Sequence, residues 1–157
     1  MIFPSIPVVD LQGVSHRLPE DLPAPRTAVI LAFQQWHQRL VDEWIARLEA
    51  AGVAGSPAER SDAAAPALLE VPVISRRWSP FRKFIDGGMA ANIRIPRVLA
   101  RTQTAYIDRG PLFTALQIPD DSTVCVAVVE PDGQVRTRVL GEVDDDAVDL
   151  VLSALTG

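Results

Sequence analysis

The 157-residue chain holds one cysteine and two histidines. With Cys125 as its only thiol, an intrachain disulfide is excluded, and with it any thiol–disulfide cycle that needs two cysteines of one chain. His16, His37 and Cys125 do not fall at a metal-ligand spacing and the carboxylates are scattered, so no metal centre is expected. No phosphate-cradling loop, dinucleotide fingerprint or Ser-His-acid order is present, and no cofactor is expected. Positive charge is in the minority, with 15 Lys and Arg against 20 Asp and Glu and a net charge of −5. A surface of that balance lacks the field that nucleic-acid binding needs. Long apolar runs are missing too, each being broken by charge or glycine within about ten residues, so no transmembrane segment is expected. The opening "MIFPSIPVVDLQG" places prolines and an aspartate where a secretory signal needs a basic start and an unbroken apolar stretch, which makes a soluble cytoplasmic protein the expectation.

Against these absences, 48% of the residues are hydrophobic, enough to fill one core, and residues 1–157 read as a single domain. "TAVILAF" (Thr27 to Phe33) is a continuous aliphatic run of the kind buried on both faces of a sheet. Helical spacing follows, with Trp36, Leu40, Val41, Trp44, Ile45 and Leu48 on one stripe and Gly52 as the stop. "GVAGSPAERSDAAAP" is a surface connection. "ALLEVPVIS" is a second strand, weakened by Pro72, and a helix is expected from Ser79, with Gly87 and Gly88 forming a turn. "RTQTAYID" reads as a strand, "GPLFTALQI" as a short helix, and "STVCVAVVEPDGQVRTRVLG" as a hairpin turning at Pro131, Asp132 and Gly133. Asp144 to Asp146 then open a last helix at its electropositive end.

This order, with "VVDLQGVSHRLPEDLPAPRTAVILAF" as a lead-in and "VAVVEPDGQVRTRVLG" as a closing hairpin, resembles the thioredoxin-like fold, particularly its peroxiredoxin and TlpA-like branch. The resemblance implies an α/β domain with a central mixed β-sheet flanked by helices and closed by a C-terminal β-hairpin plus helix. It also implies a redox site at the helix that follows the first core strand. With Trp36 taken as the tryptophan before the family's cysteine motif, His37 and Leu40 stand at the two cysteine positions, and neither supports that chemistry. The family's cis-proline before the penultimate strand has no counterpart in "DDSTVCV", where no proline follows Pro119. A second stretch, "FRKFIDGGMAANIRIPRVLARTQTAYI", is similar to the mitochondrial ATP synthase assembly factor family, which implies an assembly or chaperone-like task.

The candidate binding surface is therefore the mouth at Gln35, Trp36, His37 and Gln38 together with Arg76, Arg77 and Arg94, suited to a protein or an acidic peptide. Trp36 is expected to be exposed, Trp44 and Cys125 to be buried, and His37 to cap the helix from the surface. The rival reading is an enzyme with His37 as acid or base and those arginines holding its substrate. The basic cluster from Arg76 to Lys83 otherwise reads as a solvated face. The sequence carries no sign of oligomeric state.

Overall fold

A run without charge is stable only where both its faces are covered, and Thr27 to Ile30 and Leu31 are all buried, inside the sheet rather than at its edge. The structure, a computed structural model, describes residues 1–75 and 96–157. Among these the strands are β1 (Ile6–Asp10), β2 (Ser15–Leu18), β3 (Thr27–Ala32), β4 (Ala67–Ser75), β5 (Gln103–Ile107), β6 (Cys125–Val129) and β7 (Val135–Leu140). The α-helices are α1 (Gln38–Ala50), α2 (Pro96–Arg101), α3 (Gly110–Leu116) and α4 (Asp145–Thr156). The seven strands form one sheet in the order β2-β1-β5-β4-β3-β6-β7. β3, β4 and β5 run parallel, while β6 and β7 on one side and β1 and β2 on the other add antiparallel pairs.

Alternation along the inner strands feeds two apolar layers. Val29 and Leu31 join Leu69, Val71, Val73, Leu112 and Leu116 on the face covered by α3. Ala28 and Ile30 join Leu68, Val126 and Val128 beneath α1 and α4. Leu40, Val41, Trp44, Ile45 and Leu48 of α1 are buried there, as their spacing requires. α1 ends where Gly52 enters the left-handed region at φ +99°, with Val53 N–H donating to Leu48 C=O and Gly52 N–H to Glu49 C=O. α4 is capped by Asp144, whose Oδ1 accepts from the Ala147 N–H at 2.8 Å.

Two readings of the sequence change. The lead-in before β3, for which the sequence reading gives no strands, is a strand pair: Asp10 Oδ1 accepts from the backbone N–H groups of Gln12 and Val14, each at 2.9 Å, and turns β1 back as β2. Burial works to raise the Asp10 carboxyl, but those N–H groups and the His16 ring outweigh it and hold the group below the usual carboxylate range. Pro72 does not weaken β4, because the ladder with β3 ends there at the Ala32–Pro72 pair and the strand continues against β5 from Val73 to Ser75. The helix expected from Ser79 and the Gly87–Gly88 turn lie outside the described residues.

Trp44 is fully buried between α1 and the closing hairpin, its Nε1–H donating to Gly141 C=O at 3.0 Å. Replacing Trp44 by Ala is expected to cost about 3 kcal/mol or more through lost burial and the cavity left behind. Trp44→Phe should lose only about 1 kcal/mol with the hydrogen bond. Urea unfolding checks both, and near-equal midpoints for the wild type and Trp44→Ala would place this side chain outside the core.

Candidate functional site

β3 stops one residue before the expected Phe33, and the reason is local. The Phe33 N–H, free of any strand partner, donates to His37 Nδ1 at 3.0 Å, closing a tight turn over Gln35–His37 that leads into α1. His37 is thereby fully buried, which corrects the expectation of a surface cap. Its ring meets Trp36 edge-on at 4.5 Å and Phe33 at 6.3 Å. Burial pushes the His37 imidazole below the usual histidine range, opposed by the Asp121 carboxylate and the Ser122 backbone. Trp36 stays 52% exposed, as expected for the helix mouth, with Nε1–H on Gln34 Oε1 at 3.2 Å. Gln34 also reaches across to the Asp121 carbonyl at 2.8 Å.

Beside this turn lies a cavity of about 830 Å³ at the C-terminal ends of β3 and β4. Ala32, Phe33 and residues 70–75 line it from the sheet, Gln34, Gln35, Gln38 and Val41 from the mouth and α1, and Arg109 and Asp121 from the opposite rim. Gln35 and Gln38 of the expected surface thus line the cavity, and Trp36 stands next to them. Arg76, Arg77 and Arg94 lie outside the described residues.

The sequence reading missed the charges of this cavity. Glu70, only 5% exposed, accepts from Gln38 Nε2 at 3.0 Å and from Arg101 Nε at 3.2 Å. Arg101 also donates to Gly55 C=O at 3.0 Å, while Arg97, one turn earlier on α2, bonds Glu49 at 2.5 Å and Glu59 at 2.9 Å. At the rim Arg109 pairs with Asp121 at 3.1 Å and lies 5.5 Å from the Phe113 ring centre. One signal was available: a carboxylate inside the apolar run "ALLEVPVIS" needs a buried cation. Nothing in the sequence identified Arg101 as that cation.

Cys125 begins β6 and is buried. Burial pushes its thiol up to about 12, with Arg138 pulling the other way, so no thiolate is available at neutral pH. The cis peptide found among the described residues, Leu18–Pro19, packs near Gly133 and so lies at the opposite end of the sheet from the mouth. No group of three His, Cys, Asp or Glu side chains among the described residues is arranged to hold a metal ion. Nor is any helix among them long and apolar enough to cross a membrane.

No protein-family model and no curated protein sequence matches the chain. Solved structures do. BsSco, of the Sco family of cytochrome c oxidase assembly proteins and described as having a disulfide switch, matches with a TM-score of 0.61 at 14% identity, over 99% of this chain and 94% of its own. The exposed lipoprotein thioredoxin Etrx1 of Streptococcus pneumoniae gives 0.57 at 12% identity, over 97% and 98%. A DsbF homologue from Corynebacterium diphtheriae gives 0.57 at 15%, over 98% and 86%. The fold is thioredoxin-like, a mixed α/β sheet flanked by helices, and the chain has one cysteine where a disulfide switch needs two. None of these three is an ATP synthase assembly factor, and that second resemblance gains no support.

Removing one partner of a buried ion pair strands the other, so Arg101→Met is expected to cost about 3 kcal/mol or more, and adding Glu70→Gln should recover part of it. Denaturant titrations of the single and double variants measure this; a neutral Arg101→Met would mean that the carboxylate is held by Gln38 alone. Cys125 should resist Ellman's reagent at pH 8 until the chain unfolds, and stoichiometric reaction of the native protein would show the thiol to be accessible.

Proposed function

We propose that residues 1–157 act as one binding domain that retains a thioredoxin-like mouth without thiol chemistry and holds an extended peptide segment of a protein partner. The carrying observation is the cavity of about 830 Å³ opening beside the half-exposed Trp36 at the strand-to-helix junction. Open α/β sheets place ligands at the C-terminal ends of their strands, and a large aromatic beside such a cleft is a common anchor for a partner.

The chemistry of the lining favours an uncharged segment over an acidic one. Among the described residues the cations near the cleft are already engaged, Arg101 with Glu70 and Arg109 with Asp121. Gln34, Gln35 and Gln38 line the cleft without formal charge, and Phe33, Val71 and Val73 line it with apolar side chains. An acidic ligand would draw on Arg76, Arg77 or Arg94. The rival enzyme reading asks His37 to exchange protons with a substrate, and its full burial behind Trp36 and Phe33 speaks against that role. The working compartment in this reading is the cytoplasm, which cell fractionation tests.

Insulin reduction and peroxide consumption by the purified protein should equal buffer. Peptides selected by display against the protein should bind about tenfold or more weakly to Trp36→Ala, measured by fluorescence polarisation, because a central tryptophan anchor is worth about 2 kcal/mol. The same change should leave stability within about 0.5 kcal/mol, as for other exposed positions. Selected peptides that bind both proteins equally would move the functional surface away from the mouth.

A further inference from the structure

The mouth is locked by a hydrogen bond with only one possible polarity. A backbone N–H can only donate, so His37 Nδ1 is the acceptor of the 3.0 Å bond from Phe33 and the neutral ring carries its proton on Nε2. That Nε2 is buried and has no hydrogen-bond partner of normal geometry among the described residues. The ring is held firmly on its Nδ1 side, while on the other the Ser122 backbone is the group that favours a proton.

A second proton has one place to go. It lands on Nδ1, where it would face the Phe33 N–H donor head-on. Two donors at that distance repel, so the charged ring and the closed turn exclude each other. The helix adds to this, because His37 is the N-terminal capping residue of α1 and an imidazolium there opposes the positive end of the 13-residue helix. An attractive alternative is at hand. Asp121, in the loop before β6, is the charged group that faces the ring, and its present partner Arg109 is a part-exposed pair 3.1 Å away. On the α1 side the neighbouring charges are Asp42 and, beyond it, Glu70, both bridged by Gln38 Nε2 at 2.9 and 3.0 Å. Of these carboxylates Asp121 is the one that favours a charged His37 ring, while Asp42 and Glu70 are engaged with Gln38.

We propose that protonation of His37 unlocks the mouth: a proton from solvent binds Nδ1, the Phe33 hydrogen bond breaks, and the imidazolium swings toward Asp121, carrying Trp36 with it. The domain then has a closed turn at residues 33–37 at neutral pH and an opened one in mild acid. Its consequence for ligand capture rests on the binding role proposed above, whereas the switch itself is a property of the free protein and is tested without any ligand.

The test is a pH titration of ¹⁵N-labelled protein from pH 7.5 to 4.5, following the His37 ring and the amides of residues 33–38 by NMR. Hydrogen exchange is measured across the same range and corrected for the intrinsic pH dependence. The expected result is that Phe33 loses tenfold or more of its protection along the His37 titration, while amides of β4 and β6 keep theirs. His37→Asn, whose side-chain carbonyl accepts the same N–H but does not titrate, should keep the turn protected throughout. Asp121→Asn should move the His37 midpoint to lower pH, which supplies a second check if the His37→Asn variant fails to fold. The proposal is overturned if His37 titrates with Phe33 protection unchanged or stays neutral down to pH 4.5. It is also overturned if His37→Asn opens as the wild type does, or if Phe33 opens only together with the sheet.

Discussion

The carboxylate of Glu70 is the constraint around which this domain is arranged. It sits on β4 opposite Ile30, in the middle of the inner parallel ladder with β3, and is almost wholly removed from water. A buried charge of that kind is stable only with a partner and with its remaining lone pairs satisfied. Arg101 supplies the charge and Gln38 the second hydrogen bond, so the end of α2 and the first turn of α1 are both drawn to the same strand. The demand then spreads. Arg101 takes the Gly55 carbonyl, and Arg97 packs so closely over Gly55 that a side chain there would collide with its guanidinium and with Glu49. The loop after α1, which reads as a featureless surface connection, is therefore shaped by a charge buried 15 residues further on in β4.

The same strand explains the cavity. β3 stops at Ala32 while β4 continues to Ser75, because Phe33 gives its N–H to His37 instead of to a neighbouring strand. The notch this leaves is lined by Glu70 and opens beside Trp36. In a redox-active relative of this fold, the first turn of the helix is where exposed N–H groups and the helix dipole stabilise a thiolate. Here that place is taken by a neutral, buried imidazole whose acceptor nitrogen serves the backbone. The chain's only thiol is in β6, where no such field reaches it and burial keeps it protonated.

What could be read from the sequence divides along physical lines. The buried strand at Thr27–Ala32, the α1 stripe, the Asp-Gly hairpin and the Asp144 cap were legible because each is set by local periodicity or by a residue's own backbone preference. The thioredoxin-like arrangement followed from their order. β1 and β2 were not legible, since they are short, β1 carries Pro7, and they are joined through a side chain of Asp10 acting on the backbone two and four residues away. In the candidate site, Trp36 and Gln38 were found by position alone. The burial of His37 was hidden because it depends on where β3 ends, and the Glu70–Arg101 pair because its members are 31 residues apart.

These two hidden features act in opposite senses on the same turn. The ion pair anchors Gln38 through a bond that is already charge-balanced. The His37 bond anchors Phe33 only while the ring is neutral, since its acceptor is lost with the first proton it takes. One end of the turn is thus tied to an ion pair and the other to the His37 ring, so the proposed opening leaves Gln38 in place and displaces Phe33, Gln34 and Trp36. Gln34 bridges to the Asp121 carbonyl and Asp121 holds Arg109, so the opposite rim of the cavity is tied to the Phe33 end of the turn. Under the proposed switch, the contacts that line the cleft are thus the ones that respond to His37.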